Sequence, residues 1–482
     1  MSEFSEYCRH LLANSGSNVY QIANHSSLDR TSIQRMIRGE RLPSRKFVKD
    51  FCSYLRINPI QQEEVLKLYD IEKIGKTEYL KRCYIKDLIE RLSFLENDNS
   101  DTLSGSEDFS NAFSVTPCVE NKIFFTLQKE LETNTNPEIL LNVPTSYRYV
   151  FFVLKKLFSQ FSGHADIKHL ITLNSNPSNS LHPCQNLEIM SDVLPTIQLL
   201  KDIYHPSYLY SNITCDDEKL MVMPYYIITS QNVLIISSDF KSAVLYHSWD
   251  IVKEYRDEFY RIFQMAKPFM EYADNPICIM KALEKNYMDF GLPSHTLEFH
   301  PCLFFMNVHF NSEKDSFSEL PNAAEYIDAL QKMYKVVAAS TPPLPRKMKN
   351  TVSFFSEEGL NMFCQTGKCF GQYKNLKTGF SAIERKSMMQ NYFHHKKEGD
   401  FTPHILKPEF KLPTYLNIEL HDIHTLTIFI IKENFQFSFI QINESSLCNA
   451  FYSFFEYLAS SDFVYTKKEE DIIFQNAFSS IS

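Results

Sequence analysis

Glycine is scarce in this chain, 11 residues in 482, and tryptophan occurs once. With so little glycine and 21 prolines, a collagen-like or Gly-rich low-complexity chain is excluded. No apolar run approaches the ~20 residues that a membrane helix needs. The best stretches, Tyr149–Leu154 and Leu426–Ile431, are far too short, so no membrane partner is expected. The opening MSEFSEYCRH is polar and acidic, without a basic region ahead of an apolar one, so no secretory signal is expected. The 11 cysteines are scattered and form no Cys-x-x-Cys pair. That predicts reduced thiols in a cytoplasm and excludes a zinc ribbon. What the chain does have is apolar mass. Hydrophobic residues make up 44%, with Phe 40 and Tyr 26, which describes a folded chain with a large core. The length suggests two to four domains.

The net charge of −9 argues against nucleic acid on average, but the average hides a gradient. Arg30, Arg35, Arg38, Arg41, Arg45, Lys46, Lys49 and Arg56 crowd one stretch, opposed there only by Glu40 and Asp50. A short basic face on an acidic protein is the footprint of a local anion-binding module.

The pattern around those charges is helical. Glu3 to Ala13 places Phe4, Cys8, Leu11 and Leu12 on one face. Asn18 can cap a short second helix, Val19 to His25, with Ile22 and the small Ala23 facing inward. Ser26-Ser27-Leu28 makes a turn, and Asp29 stands where an N-cap belongs. Thr31 to Arg38 is the third helix, with Ile33, Met36 and Ile37 as its apolar stripe and Gly39 in C-cap position. A fourth helix runs from Pro43-Ser44 through Leu55, burying Phe47, Phe51 and Leu55. A fifth spans Pro59 to Tyr69 with Val65, Leu66 and Leu68.

Five short helices with a tight turn between the second and third resemble the lambda repressor/Cro-like (XRE-type) helix-turn-helix family. The residues that carry the resemblance are Val19 to Ala23 and Leu28 to Ser44. It covers residues 1–72, an all-α DNA-binding domain. The family usually has glycine in the turn where this chain has Ser27, which predicts some backbone strain there. The resemblance implies that the third helix enters the major groove with Arg30, Thr31 and Arg35 at base-reading positions. Gln34 lies on the same exposed side, and the short Ser32 can approach a base edge or a phosphate. Arginine can bind guanine O6/N7 bidentately and glutamine can bind adenine. Asn18 and Tyr20, at the start of the second helix, are placed to meet backbone phosphate. Arg38, Arg41 and Arg45 would flank the duplex as phosphate contacts.

Residues 73–118 read as a connector. Lys76 to Asn97 is helical, with Ile85, Leu88, Leu92 and Leu95 in a heptad-like stripe that either packs back onto the helix-turn-helix or joins two copies in a homodimer. The stretch 96–117 is rich in Asn, Ser and Asp and reads as a flexible acidic linker. Strands and helices alternate beyond it, which predicts a large α/β or α+β region. Ile139–Val143 and Ile167–Leu173 read as strands around a helix Tyr147–Phe161, followed by a helix Asn186–Tyr204. Tyr225–Ile228 and Val233–Ile236 form a hairpin before an amphipathic helix Asp250–Met265. An internal echo follows: Pro206 to Leu209 against Pro413 to Leu416, a second hairpin Leu426–Ile431 with Phe435–Ile440, and a helix Leu447–Leu458. Phe259 and Phe263 then match Phe451 and Phe455. Two related halves are expected, 119–340 and 341–482, joined near the proline-rich Thr341 to Pro345.

Duplicated halves ending in hairpin and helix resemble the phospholipase D superfamily, in which each half needs a His-x-Lys pair, one histidine as nucleophile and the other as acid. This chain offers one candidate, His394-His395-Lys396 with Asp400, its aspartate one residue too near, and His404 with Lys407 does not match. One histidine cannot serve both roles. His164, Asp166 and His169, like His421, Asp422 and His424, read as ordinary polar residues rather than metal ligands. Gly367-Lys368 between Cys364 and Cys369 lacks the earlier glycine of a phosphate loop. The expectation is therefore a bacterial, nucleoid-associated, cytoplasmic transcriptional regulator. It would bind an operator in double-stranded DNA as a homodimer, and residues 119–482 would sense a small-molecule or peptide effector. No enzymatic activity, cofactor, metal or catalytic residue is expected. The alternative is an enzyme or a degenerate phospholipase D-like effector or scaffold whose helix-turn-helix serves delivery or autoregulation.

Overall fold

The computed structural model describes residues 2–92, 112–113, 116–159, 161, 165–175, 182–211, 222–301, 351–367, 380–399, 401–432 and 436–481, with positions 324, 325, 328, 331, 332 and 335. The chain forms two compact units, Met1–Tyr84 and Ile85–Ser482.

The first unit holds five helices: α1 Glu3–Asn14, α2 Val19–His25, α3 Arg30–Ile37, α4 Arg45–Leu55 and α5 Pro59–Ile74. Each begins on a side-chain cap, from Ser2, Asn18, Asp29, Ser44 and Asn58 in turn, which satisfies amides that have no intrahelical partner. Their apolar faces meet in one core of Phe4, Cys8, Leu11, Leu12, Ile22, Leu28, Ile33, Met36, Val48, Phe51, Cys52, Val65 and Tyr69. On α4 the buried stripe is Val48, Phe51 and Cys52, while Phe47 and Leu55 are only half-buried. The helix is thus rotated from the expected orientation. A sixth helix, α6 Lys76–Arg91, runs from the first unit into the second. Its stripe Ile85, Leu88, Ile89 and Leu92 is buried in the second unit. There the Tyr415 hydroxyl donates to the Leu92 carbonyl at 3.1 Å, and the Lys86 ammonium lies 5.4 Å from the Phe463 ring centroid. Buried within its own chain, the stripe is not free to make the expected contact with a second copy. Leu95 and most of the expected linker lie outside the described residues. The described residues of the expected linker belong to β1 Ala112–Phe113 and the start of α7 Thr116–Thr133.

The second unit carries two mixed sheets. The first contains β2 Glu138–Asn142, β3 Asp166–Asn174, β4 Tyr204–Ser211, β5 Tyr225–Ile228, β6 Val233–Ile236, β7 Ala243–Tyr246 and β8 Lys267–Pro268, in the order β1-β7-β6-β5-β2-β3-β4-β8. Strands β2, β3 and β4 are parallel, connected by α8 Arg148–Phe158 and α9 Gln185–Leu200. Strands β5, β6 and β7 are antiparallel, and α10 Trp249–Phe263 follows them. Parallel strands covered on both faces need continuous apolar runs, and Ile139, Leu140 and Leu141 are all fully buried. Helix α8 supplies one cover through Val150, Val153, Leu154 and Leu157.

The second sheet contains β9 Glu271–Ala273, β10 His295–Glu298, β11 Thr351–Ser356, β12 Phe401–Leu406, β13 Leu416–His421, β14 Thr425–Lys432 and β15 Gln436–Ile442. Its order, β9-β15-β14-β13-β10-β11-β12, repeats the first step for step. Strands β10, β11 and β12 are parallel, and β13, β14 and β15 run antiparallel. A short edge strand and a helix precede each set: β1 with α7, and β9 with α11 Pro276–Phe290. Helices α10 and α14 Ser445–Ala459 have equal length and follow their sheets at the same interval. Even the outer contact recurs, β8 against β4 and a bridge Leu406↔Val464 against β12. Helices α12 Glu357–Thr366, α13 Ala382–Glu398 and α15 Lys467–Ser479 complete the second half.

The expected duplication is thus present in the topology, but its register and boundary are corrected. The hairpin β5–β6 corresponds to β13–β14, not to the expected β14–β15. In the helices Phe259 answers Phe455, one turn from the expected match. Pro206 sits inside β4 whereas Pro413 precedes β13, so that echo joins non-equivalent places. The second half begins at β9, because β9 pairs with β15, and β10 with β11 and β13, all in the second sheet. The proposed joint at 341–345 lies outside the described residues and, by chain order, between β10 and β11. The expected helix over 186–204 ends at Leu200, and β4 begins at Tyr204.

Candidate nucleic-acid interface

The α2–α3 corner is built by local hydrogen bonds. Asn18 Oδ1 accepts the Gln21 amide at 2.9 Å, while Gln21 Oε1 accepts the Asn18 amide at 2.9 Å, a reciprocal capping box. In the turn, Ser26 Oγ donates to the Ile22 carbonyl at 2.6 Å and accepts the Leu28 amide at 3.2 Å. No residue between Ser26 and Asp29 has positive φ. The glycine expected at Ser27 is therefore unnecessary, and the predicted strain is absent. Asp29 accepts the Ser32 amide at 2.7 Å. Its carboxyl is held below the usual range, first by that amide, then by the Ser32 hydroxyl, and further by the Thr31 amide and the Arg35 charge.

The far end of α3 closes equally firmly. Gly39, at φ +72°, lies just beyond the helix. Its amide bonds the Met36 carbonyl at 3.1 Å, and the Glu40 amide reaches the Arg35 carbonyl at 2.9 Å. This is the double closure that a left-handed residue after a helix allows. From α1, an Arg9 guanidinium nitrogen donates to the Ile37 carbonyl at 2.8 Å. With Ile33 and Met36 fully buried, the orientation of α3 is fixed.

That orientation turns Arg30, Thr31 and Arg35 outward as exposed residues, with Gln34 and Ser32 half-buried beside them. The Arg30 guanidinium lies 6.0 Å from the ring centroid of the exposed Tyr20, so α2 and α3 contribute to one surface. Asn18 stands exposed at the head of α2; its cap uses Oδ1 and leaves Nδ2 as a donor. Arg38 and Arg41 are exposed past the end of α3, Arg38 in a loose 3.8 Å pair with Glu40. The structure therefore gathers nine of the ten sequence-derived residues around α2 and α3 and reassigns one. Arg45 pairs with Asp70 of α5, its side chain only 28% exposed against 14% for Asp70. It ties α4 to α5 instead of pointing outward. The Ser32 hydroxyl, engaged by Asp29, is likewise a cap partner first. Sequence reading missed Arg9 and the Tyr54 hydroxyl, which donates to the Gln21 carbonyl at 3.3 Å, because both act across the fold on backbone atoms.

The other sequence candidates separate. His169 is fully buried: Nε2 donates to the Val143 carbonyl at 2.8 Å, and Nδ1 faces the Tyr204 hydroxyl at 2.7 Å. Burial pushes its pKa down to about 4, against the Val143 hydrogen bond. His164 lies outside the described residues, and Asp166 pairs with Lys168. His421 is buried while His424 stacks on Phe290 at 5.7 Å. Among the described residues no group of His, Cys, Asp and Glu is arranged to hold a metal ion. Cys364 is buried, its thiol pushed up to about 12 by burial, and Gly367 ends α12 in left-handed conformation. Lys368 and Cys369 lie outside the described residues. His394 is exposed on α13, and Lys396 pairs with Asp471 at 2.8 Å. Asp400 and the His395 side chain lie outside the described residues. His404 is 3.6 Å from Glu470, and Lys407 lies over the Tyr465 ring. Among the described residues no helix is long and apolar enough to cross a membrane.

Neither a protein-family profile nor a curated protein matches the chain. Three solved structures are similar at low scores. The archaeal chromatin protein TrmBL2, described with a novel mode of DNA binding, has a TM-score of 0.22 at 14% identity, over 56% of this chain and 94% of its own. The polyphosphate kinase of Porphyromonas gingivalis gives 0.20 at 8% identity, over 74% of this chain and 53% of its own. The phosphatidylserine synthase of Haemophilus influenzae Rd KW20 gives 0.23 at 8% identity, over 82% of this chain and 96% of its own. Two of these three are enzymes, which stands against the expectation that the chain has no enzymatic activity, and that expectation is withdrawn. At these TM-scores none of the three assigns a reaction or a partner to this chain.

Proposed function

We propose that residues 1–72 form a lambda repressor-like helix-turn-helix that binds double-stranded DNA at specific sites, making the protein a bacterial transcriptional regulator. The observation that carries the reading is the α3 face. A capped helix anchored by Ile33 and Met36 presents Arg30, Thr31 and Arg35 outward, with Gln34 beside them. Side chains on the N-terminal half of such a helix can reach base edges in the wide major groove. Asn18 and Tyr20 at the head of α2, with Arg38 and Arg41 past the end of α3, are placed to meet the phosphates on either side. Two copies on a palindromic operator would set their α3 helices about one helical turn apart, roughly 34–36 Å. Selection of bound fragments from a genomic library, followed by anisotropy titrations, tests the assignment. Arg30→Ala with Arg35→Ala is expected to abolish enrichment of any sequence. Unchanged enrichment by the double variant refutes the base-reading role.

A further inference from the structure

A cavity of about 280 Å³ opens at the carboxyl edge of the first sheet. Asn142 ends β2 there, Thr172 lies on β3, Ser211 ends β4, and Tyr225 starts the antiparallel β5. The carboxyl edge of parallel strands is where open α/β sheets bind small ligands. The volume lies near the lower end of the roughly 300–1,000 Å³ usual for small-molecule pockets. One wall is rigid: Tyr225 stacks on Phe240 at 5.3 Å, and Phe240 stacks on Tyr147 at 4.1 Å.

The lining is strongly one-sided in charge. Glu188 and Asp192, one turn apart on the same face of α9, both line the cavity. None of its described lining residues is Lys, Arg or His. Around the two carboxylates are hydroxyl and amide groups, Thr145 and Thr172 among them. Asp192 is half-buried, and burial raises its carboxyl above the usual range; Arg148, the Thr145 hydroxyl and Arg91 pull it back, and Glu188 raises it further. The Arg148 partner stands outside the cavity with its side chain 82% exposed, 3.6 Å from Asp192. With its cation in open solvent and at that separation the pair is loose, so Asp192 is free to exchange Arg148 for a cation seated inside the cavity. Glu188 makes no ion pair among the described residues. An anionic ligand would face two carboxylates without a cation inside the cavity, whereas an ammonium group would sit between them.

We propose that this cavity is a binding site for a small hydrophilic amine: an ammonium group held between Glu188 and Asp192, and hydroxyls met by the threonine, serine and asparagine groups around it. The site belongs to the second unit and is independent of the DNA-binding reading. The test is calorimetric titration of the full chain without DNA, using glucosamine and 2-amino-1,3-propanediol against their uncharged counterparts glucose and glycerol, with glucuronate as the anion. At least one amine is expected to bind ten-fold or more tightly than its counterpart. Glu188→Gln and Asp192→Asn should each erase that advantage. Glu188 is exposed, so its variant keeps the fold, which circular dichroism and an unchanged melting temperature verify. Three results overturn the proposal: no amine binds, glucose, glycerol or glucuronate binds as tightly, or the advantage survives both substitutions. None of them touches the role of α3, which is read separately by fragment selection.

Discussion

Arg45 separates a structural cation from a DNA-facing one, and the difference is measurable. Its guanidinium pairs with Asp70, the two side chains being 28% and 14% exposed. Fully exposed pairs contribute roughly 0.2–1 kcal/mol. Breaking a fully buried pair costs roughly 3–5 kcal/mol. A pair at this intermediate burial should show a coupling of about 1–2 kcal/mol in a double-mutant cycle of Arg45→Ala and Asp70→Ala. In a unit of this size each 1 kcal/mol moves the melting temperature by roughly 4–8 °C. The assay is hydrogen exchange in the full chain, read on peptides of α4 and α5, alongside anisotropy titrations of DNA at several salt concentrations. Arg45→Ala should lower protection of both helices and leave the salt slope of binding unchanged. Arg41→Ala should do the reverse, reducing the slope by about 0.9, the value of one phosphate contact. A flattened salt slope in Arg45→Ala with undiminished protection would refute the reasoning and return Arg45 to the duplex.

Gly39 holds φ +72° in the closure of α3, so Gly39→Ala should destabilise the first unit by about 1–2 kcal/mol, checked by urea unfolding; a neutral result contradicts that closure. Burial lowers the pKa of His169, His300 and His421 to about 4. The unfolded chain takes up their protons from about pH 6.5 downward while the folded chain resists. The stability they confer is therefore complete above pH 6.5 and is lost as pH falls toward 4. For His169 the loss is on the order of 3 kcal/mol, and His169→Gln should flatten the pH dependence of unfolding in that window. Ile89→Ala, in the fully buried stripe of α6, should destabilise the second unit by roughly 2–5 kcal/mol without changing the oligomeric state seen by light scattering.

The first unit was legible because its signals are local. The caps at Asn18, Asp29 and Ser44 stand beside the helices they start, and Gly39 follows the helix it ends. Arg45 was misread because its partner Asp70 lies on another helix, and nothing near Arg45 in sequence marks that contact. The same limit applied to α6. Its apolar period was visible, but contacts of this segment such as Tyr415 to the Leu92 carbonyl and Phe463 to Lys86 come from residues hundreds of positions away. In the sheet region apolar runs revealed six of the fifteen described strands, and the first residue of β4, Tyr204, was absorbed into the preceding helix because Leu199, Leu200, Ile203 and Tyr204 recur at helical spacing around Lys201 and Asp202. The duplication was sensed through its helices, yet short hairpins resemble one another, and the echo slipped by one strand. The α9 carboxylates went unnoticed because Glu188 and Asp192 gain meaning only beside the ends of β2 and β3.

The most direct test of the α3 assignment is methylation interference on a selected DNA site. Methyl groups at guanine N7 occupy the major groove, where Arg30 or Arg35 would bind. Binding should be lost on methylation of one or more guanines in the wild-type protein, and that sensitivity should vanish in the Arg30→Ala or Arg35→Ala variant that abandons the contact. Interference confined to adenine N3 in the minor groove, or a guanine pattern identical in both variants, would contradict the assignment.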